Sequence, residues 1–389
     1  MVEILLGTAG WSYDVWVGPF YPSEEVNKLS FYSKVFRTAE IDSTFYSYPT
    51  KGVVFGWARY TQPNFIFSAK LPNLITHEKK LDVEKDVDED LDRFLDLMKP
   101  LKTRAKLGPI LIQLPPGFKR DYARLEAFFK ILPEDFRFAV EFRDLSWLRD
   151  ETWSLLRRYN VAYTIVDEPL LPPETVITAD FTYVRWHGRG RRPWYNYSYR
   201  LDELKAWVAR LNEIASRVGE VYGYFNNHFY GYAVENCLQL LQMLGLMTEA
   251  QSAALQRVEE YFRASGIRAE PQPASKPTSE MSFEELLSAF VSKQRLSRAK
   301  EIGDREVRIL QCDGSVIRAE IREYHVIVDL EKREILHDCP DWARCVPDRS
   351  FCKHLGKIFL LIPRASAEDI LRRIFVERDI WRFKPYLES

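Results

Sequence analysis

Short apolar, β-rich runs recur over residues 3–225, each ending in a polar residue or glycine. They are Glu3–Gly7, Thr38–Ile41, Phe65–Lys70, Ile110–Leu114, Arg137–Glu141, Ala162–Val166, Tyr183–His187 and Val221–Phe225. Most intervals between them hold apolar residues at helical spacing, clearest at Leu29–Phe36, Val87–Met98, Ala123–Leu132, Asp150–Tyr159 and Leu201–Val218. A last amphipathic stretch, Ala233–Leu244, follows the eighth run. Strands alternating with helices predict an α/β fold, a parallel (β/α)8 TIM barrel. The interval from Val166 to Tyr183 contains Glu168-Pro169-Leu170-Leu171-Pro172-Pro173 and leaves room for only a short helix. A doubly wound open sheet is the alternative, but no glycine-rich phosphate loop follows the first run, as that fold prefers.

The pattern changes after Gly245. Thr248–Ser265 reads as a helix with charged faces. Residues 270–279 hold three prolines and no large apolar side chain, which marks a linker. Met281–Gln294 reads as another amphipathic helix. From Glu306 onward apolar residues alternate: Val307 and Ile309, then Ile317, Ala319 and Ile321, then His325–Leu330, with Asp313-Gly314 as a hairpin signal. Helices His354–Leu361 and Ala367–Phe375 close the chain. The predicted organisation is a barrel over 1–247, a helical and proline-rich linker over 248–300, and a C-terminal α+β domain over 301–389.

Composition narrows the class. The chain has 46% hydrophobic and 29% charged residues, ordinary for a soluble globular protein. No run reaches the length of a membrane span. The N-terminus runs straight into a strand with no basic start or cleavage signal, so the expectation is a cytoplasmic protein with no membrane partner. The formal net charge is −1, so affinity for polyanions has to come from local patches. Of five cysteines, Cys339, Cys345 and Cys352 cluster, which favours a metal over disulfides. His337-Asp338-Cys339 and Cys352-Lys353-His354 together offer four nitrogen and sulfur groups, the number a closed structural zinc site needs.

In a barrel, side chains at the C-terminal strand ends share one mouth, where the chemistry takes place. Those ends supply Trp11, Glu40, Asp42, Lys70, His77, Gln113, Glu141, Arg143, Asp167, Arg185, His187, Asn226, Asn227 and His228. Burying so many ionisable groups is costly unless they are paired or hold a ligand. Glu40, Asp42, Glu141, His187 and His228 are candidate ligands for a divalent metal. Alternatively Glu141 pairs with Arg143 or Lys70 and leaves Glu40 as general base. No HxH or HExxH spacing occurs in the barrel. The loop after the seventh run, Arg185 to Tyr199, combines Arg185, Arg189, Arg191 and Arg192 with Trp194 and Tyr195. Guanidinium forks suit phosphates and aromatic faces stack on bases or sugars, so these residues and Trp11 are candidates for phosphate or nucleic-acid binding.

Residues 4–245 resemble the domain-of-unknown-function 72, or YecE-like, family of TIM barrels. The motifs that carry the likeness are Gly7-Thr8-Ala9-Gly10-Trp11-Ser12-Tyr13, Phe20-Tyr21-Pro22, Glu40-Ile41-Asp42-Ser43-Thr44-Phe45-Tyr46, Phe67-Ser68-Ala69-Lys70 with Ile75-Thr76-His77, Leu111-Ile112-Gln113-Leu114-Pro115-Pro116, Val140-Glu141-Phe142-Arg143 with Ser146-Trp147, Tyr183-Val184-Arg185-Trp186-His187-Gly188, and Phe225-Asn226-Asn227-His228. Asp42 departs from the asparagine usual in that family. The family is similar in plan to the endonuclease IV-like and xylose-isomerase-like barrels, a fold-level analogy that suggests nucleic acid. The C-terminal part resembles a SWIM-type zinc finger in Cys339-Pro340-Asp341 and Phe351-Cys352-Lys353-His354. His337 stands in place of that pattern's first cysteine. The resemblance implies zinc on His337, Cys339, Cys352 and His354, with Cys345 as the rival ligand, and a role as an adaptor for DNA or protein.

The leading expectation is therefore a nucleic-acid-binding protein that acts as a metal-assisted phosphodiesterase or nuclease in DNA processing. Its substrate would be single-stranded or distorted DNA, and a DNA-processing protein would be its partner. The alternatives are a non-catalytic DNA- or protein-binding platform, and an enzyme acting on a small phosphorylated or sugar-like ligand.

Overall fold

A computed structural model describes residues 2–169, 171–190, 194–266, 281–347, 349–376 and 381–386. The chain forms two compact units, Met1–Pro277 and Thr278–Ser389. The first contains the eight strands β1 (Glu3–Ala9), β2 (Thr38–Ile41), β3 (Ile66–Lys70), β4 (Leu107–Gln113), β5 (Phe138–Glu141), β6 (Ala162–Asp167), β7 (Phe181–Trp186) and β8 (Glu220–Phe225). All neighbours are parallel. The sheet closes where β8 pairs with β1, from Glu3 opposite Glu220 to Thr8 opposite Phe225. Closure settles the choice between barrel and open sheet.

Helices α1 (Lys28–Val35), α2 (Lys51–Arg59), α3 (Val87–Lys102), α4 (Tyr122–Lys130), α5 (Asp150–Arg158), α6 (Leu201–Ala215), α7 (Tyr232–Met243) and α8 (Glu249–Ser265) follow in chain order. Their buried stripes meet the outward faces of the strands in one large core. Among the described residues, no helix lies between β6 and β7. Proline blocks helix there, and the extended segment is pinned by Thr178, whose hydroxyl donates to the Val161 carbonyl at 2.7 Å and accepts from the Tyr163 amide at 2.7 Å.

Side chains inside a barrel alternate at period two. The bottom and middle of the interior are apolar or phenolic, with Leu5, Leu111, Phe181, Tyr183, Tyr222 and Tyr224 packed together. Above them, the Tyr224 hydroxyl sits 2.8 Å from both Thr38 Oγ1 and Ser68 Oγ. The next inward positions, Glu40, Glu141 and Arg185, are charged. This fills the barrel up to its C-terminal end and gathers charge at the mouth, while at the opposite end Arg137 pairs with Glu220 and donates to the Tyr222 hydroxyl at 2.7 Å.

The second unit has α9 (Phe283–Ser288), α10 (Lys293–Glu301), strands β9 (Val307–Cys312), β10 (Val316–Ile321), β11 (Tyr324–Asp329), β12 (Glu334–His337), helices α11 (Trp342–Cys345), α12 (Lys353–Leu361), α13 (Arg364–Val376), and β13 (Arg382–Pro385). The sheet order is β13-β12-β11-β10-β9. Its inner face and the helices share a separate core.

Two expectations change. The helix expected over Met281–Gln294 is two helices, because Phe290 and Val291 bury in the turn and Ser292 caps α10, its side chain accepting from the Arg295 amide at 3.3 Å. The 248–300 segment expected as a linker is divided between the units. α8 buries Ala254, Leu255, Val258 and Phe262 in the barrel core, whereas α9 and α10 belong to the second unit. Residues 267–280, which hold the proline-rich stretch, lie outside the described residues. Among the described residues, no helix is long and apolar enough to cross a membrane.

Candidate active site and metal centre

The mouth of the barrel is organised around Arg185, which is 1% exposed. Its guanidinium donates to Glu40 at 2.6 Å and to Glu141 at 2.8 Å, and lies 3.6 Å from Asp42. Arg143 donates to Glu141 at 2.6 Å and to Glu168 at 2.5 Å. The Tyr183 hydroxyl donates to the second oxygen of Glu40 at 2.6 Å. His187 Nε2 faces Glu141 at 3.4 Å, and the Asn226 amide meets Nδ1 at 3.0 Å. Nε2 also lies 3.2 Å from the Arg143 guanidinium and 3.3 Å from that of Arg185. Lys70 lies 3.7 Å from Asp42 and 4.1 Å from the centre of the Phe45 ring. Four carboxylates therefore face three cations. When all are ionised one negative charge is in excess, and a single retained proton removes it.

Burial decides where that proton sits. It pushes Glu40 up to about 7, against Arg185, with neighbouring Asp42 adding to the rise. Glu168 is likewise raised to about 7 by burial, which outweighs Arg143. Burial would also raise Asp42, but Lys70 and Arg185 prevail and hold it below the usual carboxylate range. Glu141 is kept well below that range because Arg143 and Arg185 overcome its burial. His187 is lowered to about 3 by burial and by Arg143, so its ring is neutral at physiological pH. Lys70 is lowered by burial, with Asp42 opposing.

The expected site residues do not all converge. Glu40, Asp42, Lys70, Glu141, Arg143, Arg185, His187 and Asn226 share the mouth. Asn227 points away and donates to the Tyr197 carbonyl and Asn236, both at 2.8 Å, which fixes a loop. Asp167 also leaves the mouth and accepts from Trp207 at 2.6 Å and from Arg189. His77 follows β3 on a π-helical turn, Leu74–Glu78, and packs edge-on against Phe45 at 4.8 Å. His228 lies between Tyr13 (4.6 Å) and Tyr195 (5.3 Å), stacked on both rings.

Arg185 corrects the reading of the basic loop, since its guanidinium is buried between two carboxylates and does not face a polyanion. Arg189 clamps Asp167 through two hydrogen bonds, at 2.5 and 2.9 Å. Arg191 and Arg192 lie outside the described residues. Trp194 is half-buried, and its carbonyl accepts from Gly190 at 2.8 Å. A Cβ on Gly188, at φ +89°, would meet that carbonyl at 2.7 Å, so the loop requires glycine there. Trp11 packs against Phe67 (5.5 Å) and Trp57 (6.3 Å) as wall rather than platform.

Glu168 and Tyr183 were missed in the sequence. The signal was the period-two alternation: Thr164, Val166 and Glu168 point inward on β6, and Asp167 does not. The divalent metal expected in the barrel also meets an obstacle, because the oxygens of Glu40 and Glu141 already accept from guanidinium groups and from the Tyr183 hydroxyl.

In the second unit, β12 ends at His337 and α12 begins beside Cys352. His337, Cys339, Cys352 and His354 are all buried, with their ligand atoms within 4.8 Å of one another. Among the described residues, this is the one group of three or more His, Cys, Asp or Glu side chains placed to hold a metal ion. His337 Nδ1 donates to the His325 carbonyl at 2.6 Å, which leaves Nε2 buried with no hydrogen bond. Both ring nitrogens of His354 are buried in the same state. Cys339 is drawn far below the thiol range by a hydrogen bond from Cys352, while burial raises Cys352. Cys345, the rival ligand, is buried at the end of α11 and stands outside the cluster.

Residues 5–260 match the family described as "Protein of unknown function DUF72". The match ends before the His/Cys cluster. The chain is 28% identical to the UPF0759 protein YunF of Bacillus subtilis over 270 residues, 62% of this chain and 95% of that one. It is 32% identical to the UPF0759 protein YecE of Escherichia coli over 141 residues, 36% of this chain and 48% of that one. A DUF72 family protein of Thermotoga maritima superposes with a TM-score of 0.56 at 34% identity, over 62% of this chain and 99% of the other. One from Enterococcus faecalis gives 0.55 at 25% identity, over 63% and 99%. Barrel, motif positions and relatives agree, and the chain belongs to the DUF72 family.

Proposed function

We propose that the barrel mouth is the active site of an enzyme performing acid–base chemistry on a small polar ligand, phosphorylated or sugar-like. The observation that carries this reading is the division of the carboxylates. The side chains of Glu40, Glu141 and Glu168 have no exposure, whereas Asp42 is 24% exposed and its partner Lys70 10%. Asp42 and Lys70 are thus the charged pair facing a ligand, with Asn226 and His228 beside them. Neighbouring carboxylates driven apart in proton affinity, Glu40 upward and Asp42 downward, are the arrangement acid–base chemistry uses. Arg185, Glu141 and Arg143 act as positioning residues. Lys70 would hold an anionic group, and Asp42 would take a proton.

A metal-assisted phosphodiesterase at this mouth is the weaker reading. Glu40 and Glu141 would have to give up their arginines to bind an ion. A strand of nucleic acid would also have to reach residues that are fully buried.

Calorimetric titration of the full chain with a panel of sugar phosphates tests the proposal. The wild type is expected to bind at least one member, and Lys70→Met to weaken it by roughly tenfold or more by removing a charge-assisted hydrogen bond. A panel with no binder, or a binder indifferent to Lys70→Met, would sink the idea.

For the second unit we propose a structural zinc ion on His337, Cys339, Cys352 and His354. Nε2 of His337, the ring nitrogens of His354 and the thiols of Cys339 and Cys352, all buried and within 4.8 Å of one another, fit such an ion. Four nitrogen and sulfur ligands form a closed set that leaves no position for substrate. Bound zinc would supply folding energy to this unit. Elemental analysis is expected to find zinc at parity with the chain, and loss of it in Cys352→Ala.

A further inference from the structure

A second charged site lies in the second unit, outside the barrel. A cavity of about 510 Å³ opens where the N-terminus of α10 meets the loops flanking the His/Cys cluster. Arg295, Arg298, Arg344 and Lys353 line it, with Asp341 as the sole carboxylate among its lining residues. Arg295 spends its charge on that carboxylate through two hydrogen bonds, at 3.0 and 3.1 Å. The resulting clamp ties α10 to the segment that follows Cys339. Arg298, Arg344 and Lys353 make no ion pair among the described residues. Three uncompensated cations around one cavity repel each other and favour an anion between them. Ser292, the N-cap of α10, also lines the cavity, so the positive end of that helix adds to the field.

We infer that this cavity is a phosphate-binding groove for the backbone of a nucleic-acid strand. The cavity is far larger than one phosphate, and its free cations come from three separate chain segments. It is therefore built for consecutive phosphates along a polymer. Two arginines, Arg298 and Arg344, give the fork geometry that phosphate oxygens accept, and Lys353 adds a point charge. The groove is polar, with no aromatic lining residue, so it holds backbone without reading bases. Its walls are continuous with the His/Cys cluster, because Lys353 stands between Cys352 and His354, and Pro340 and Asp341 directly follow Cys339. This inference does not rest on the barrel reading.

The test is fluorescence anisotropy of the full chain with labelled oligothymidine and with a labelled duplex, across a salt series. Arg298→Gln combined with Arg344→Gln is expected to weaken binding about tenfold or more. It should also reduce the salt slope by about 0.7 for each phosphate of a single strand that is no longer neutralised. Both residues are exposed, so the variant retains its fold, and thermal melting checks this. Arg298→Lys combined with Arg344→Lys should keep most of the affinity. Arg305→Gln with Arg318→Gln, two exposed cations of the same unit away from the groove, should change it little. Lys70→Met in the barrel should leave it unchanged, which separates this result from the fate of the barrel proposal. The inference is overturned if the full chain binds neither oligonucleotide, or if control and groove variants lose affinity equally. It is also overturned if an acidic phosphopeptide displaces either strand at lower concentration than unlabelled oligothymidine does.

Discussion

Asp42 and Glu40 form the most informative pair at the scale of single residues, because each sets the other's proton affinity. Asp42 raises Glu40, and Lys70 and Arg185 hold Asp42 down. Asp42→Asn removes the repulsion, so Glu40 is expected to titrate below its present value of about 7. Carboxyl ¹³C chemical shifts followed against pH would show this, and an unmoved Glu40 would mean that burial alone sets it. Glu168 allows a thermodynamic check. Its folded pKa of about 7 lies above the ordinary 4.5. Between those values the folded chain keeps a proton that the unfolded chain has released. Native protein then binds more protons, and this contribution to stability falls as pH rises across the window. In Glu168→Gln that contribution is gone. The stability of the wild type relative to the variant should therefore decline from pH 4.5 to pH 7. Melting temperatures of both proteins across that range measure it, and a difference that stays constant would refute the raised value.

Among the elements, α2 shows what periodicity leaves out. Its sequence, with Gly52, Gly56, Val53 and Val54, has poor helix propensity, and no helix was expected there. Tertiary packing holds it instead. Val54, Trp57 and Ala58 are buried, Thr50 caps the start, and Lys106 reaches the far end from the segment before β4. The Lys106 ammonium donates to the carbonyls of Ala58 (3.0 Å), Thr61 (2.9 Å) and Gln62 (2.7 Å) and to the Thr61 hydroxyl (2.8 Å). Lysine at a helix C-terminus supplies the donors its last carbonyls lack. Lys106→Met is expected to cost roughly 2–4 kcal/mol by orphaning buried acceptors, and chemical denaturation would measure it. A loss below about 0.5 kcal/mol, the range of neutral surface changes, would show that water replaces the ammonium. The strands were legible to within a few residues because alternating apolar runs are dictated by burial. The site was legible in part. Residue type at the strand ends indicated charge, but not which neighbour faces inward. At β6 the inward residue is Glu168 and not Asp167, and at the end of β8 it is Asn226 and not Asn227. Nor could spacing along the chain reveal that Arg185 spends its charge inside the barrel, since Glu40 and Glu141 approach it from β2 and β5. The strands β12 and β13, four residues each, were missed too: both are too short to show alternation, and the parallel partner of β13 lies far away in sequence.

On the scale of the whole molecule, the two units have separate hydrophobic cores, and the candidate metal centre belongs to only one of them. The barrel core is large and contains no proposed metal ligand. The core of the second unit includes Cys339 and Cys352 themselves, beside Trp342, Phe351 and Leu355. Removing a bound cation would leave two thiols and two imidazoles buried together in that small core with only one another for partners, and such polar groups are costly to bury. A chelator is therefore expected to split thermal unfolding into two transitions. The one belonging to the second unit should move to lower temperature, and the one belonging to the barrel should stay in place. Cys352→Ala should reproduce the shift without chelator. Cys345→Ala should not, because Cys345 lies outside the ligand set and its loss removes only a buried thiol. Differential scanning calorimetry resolves the outcomes. If the barrel transition moves with the other, the units unfold as one and the cation supports both. If neither moves, the four ligands hold no stabilising ion, and the second unit stands on its apolar core alone.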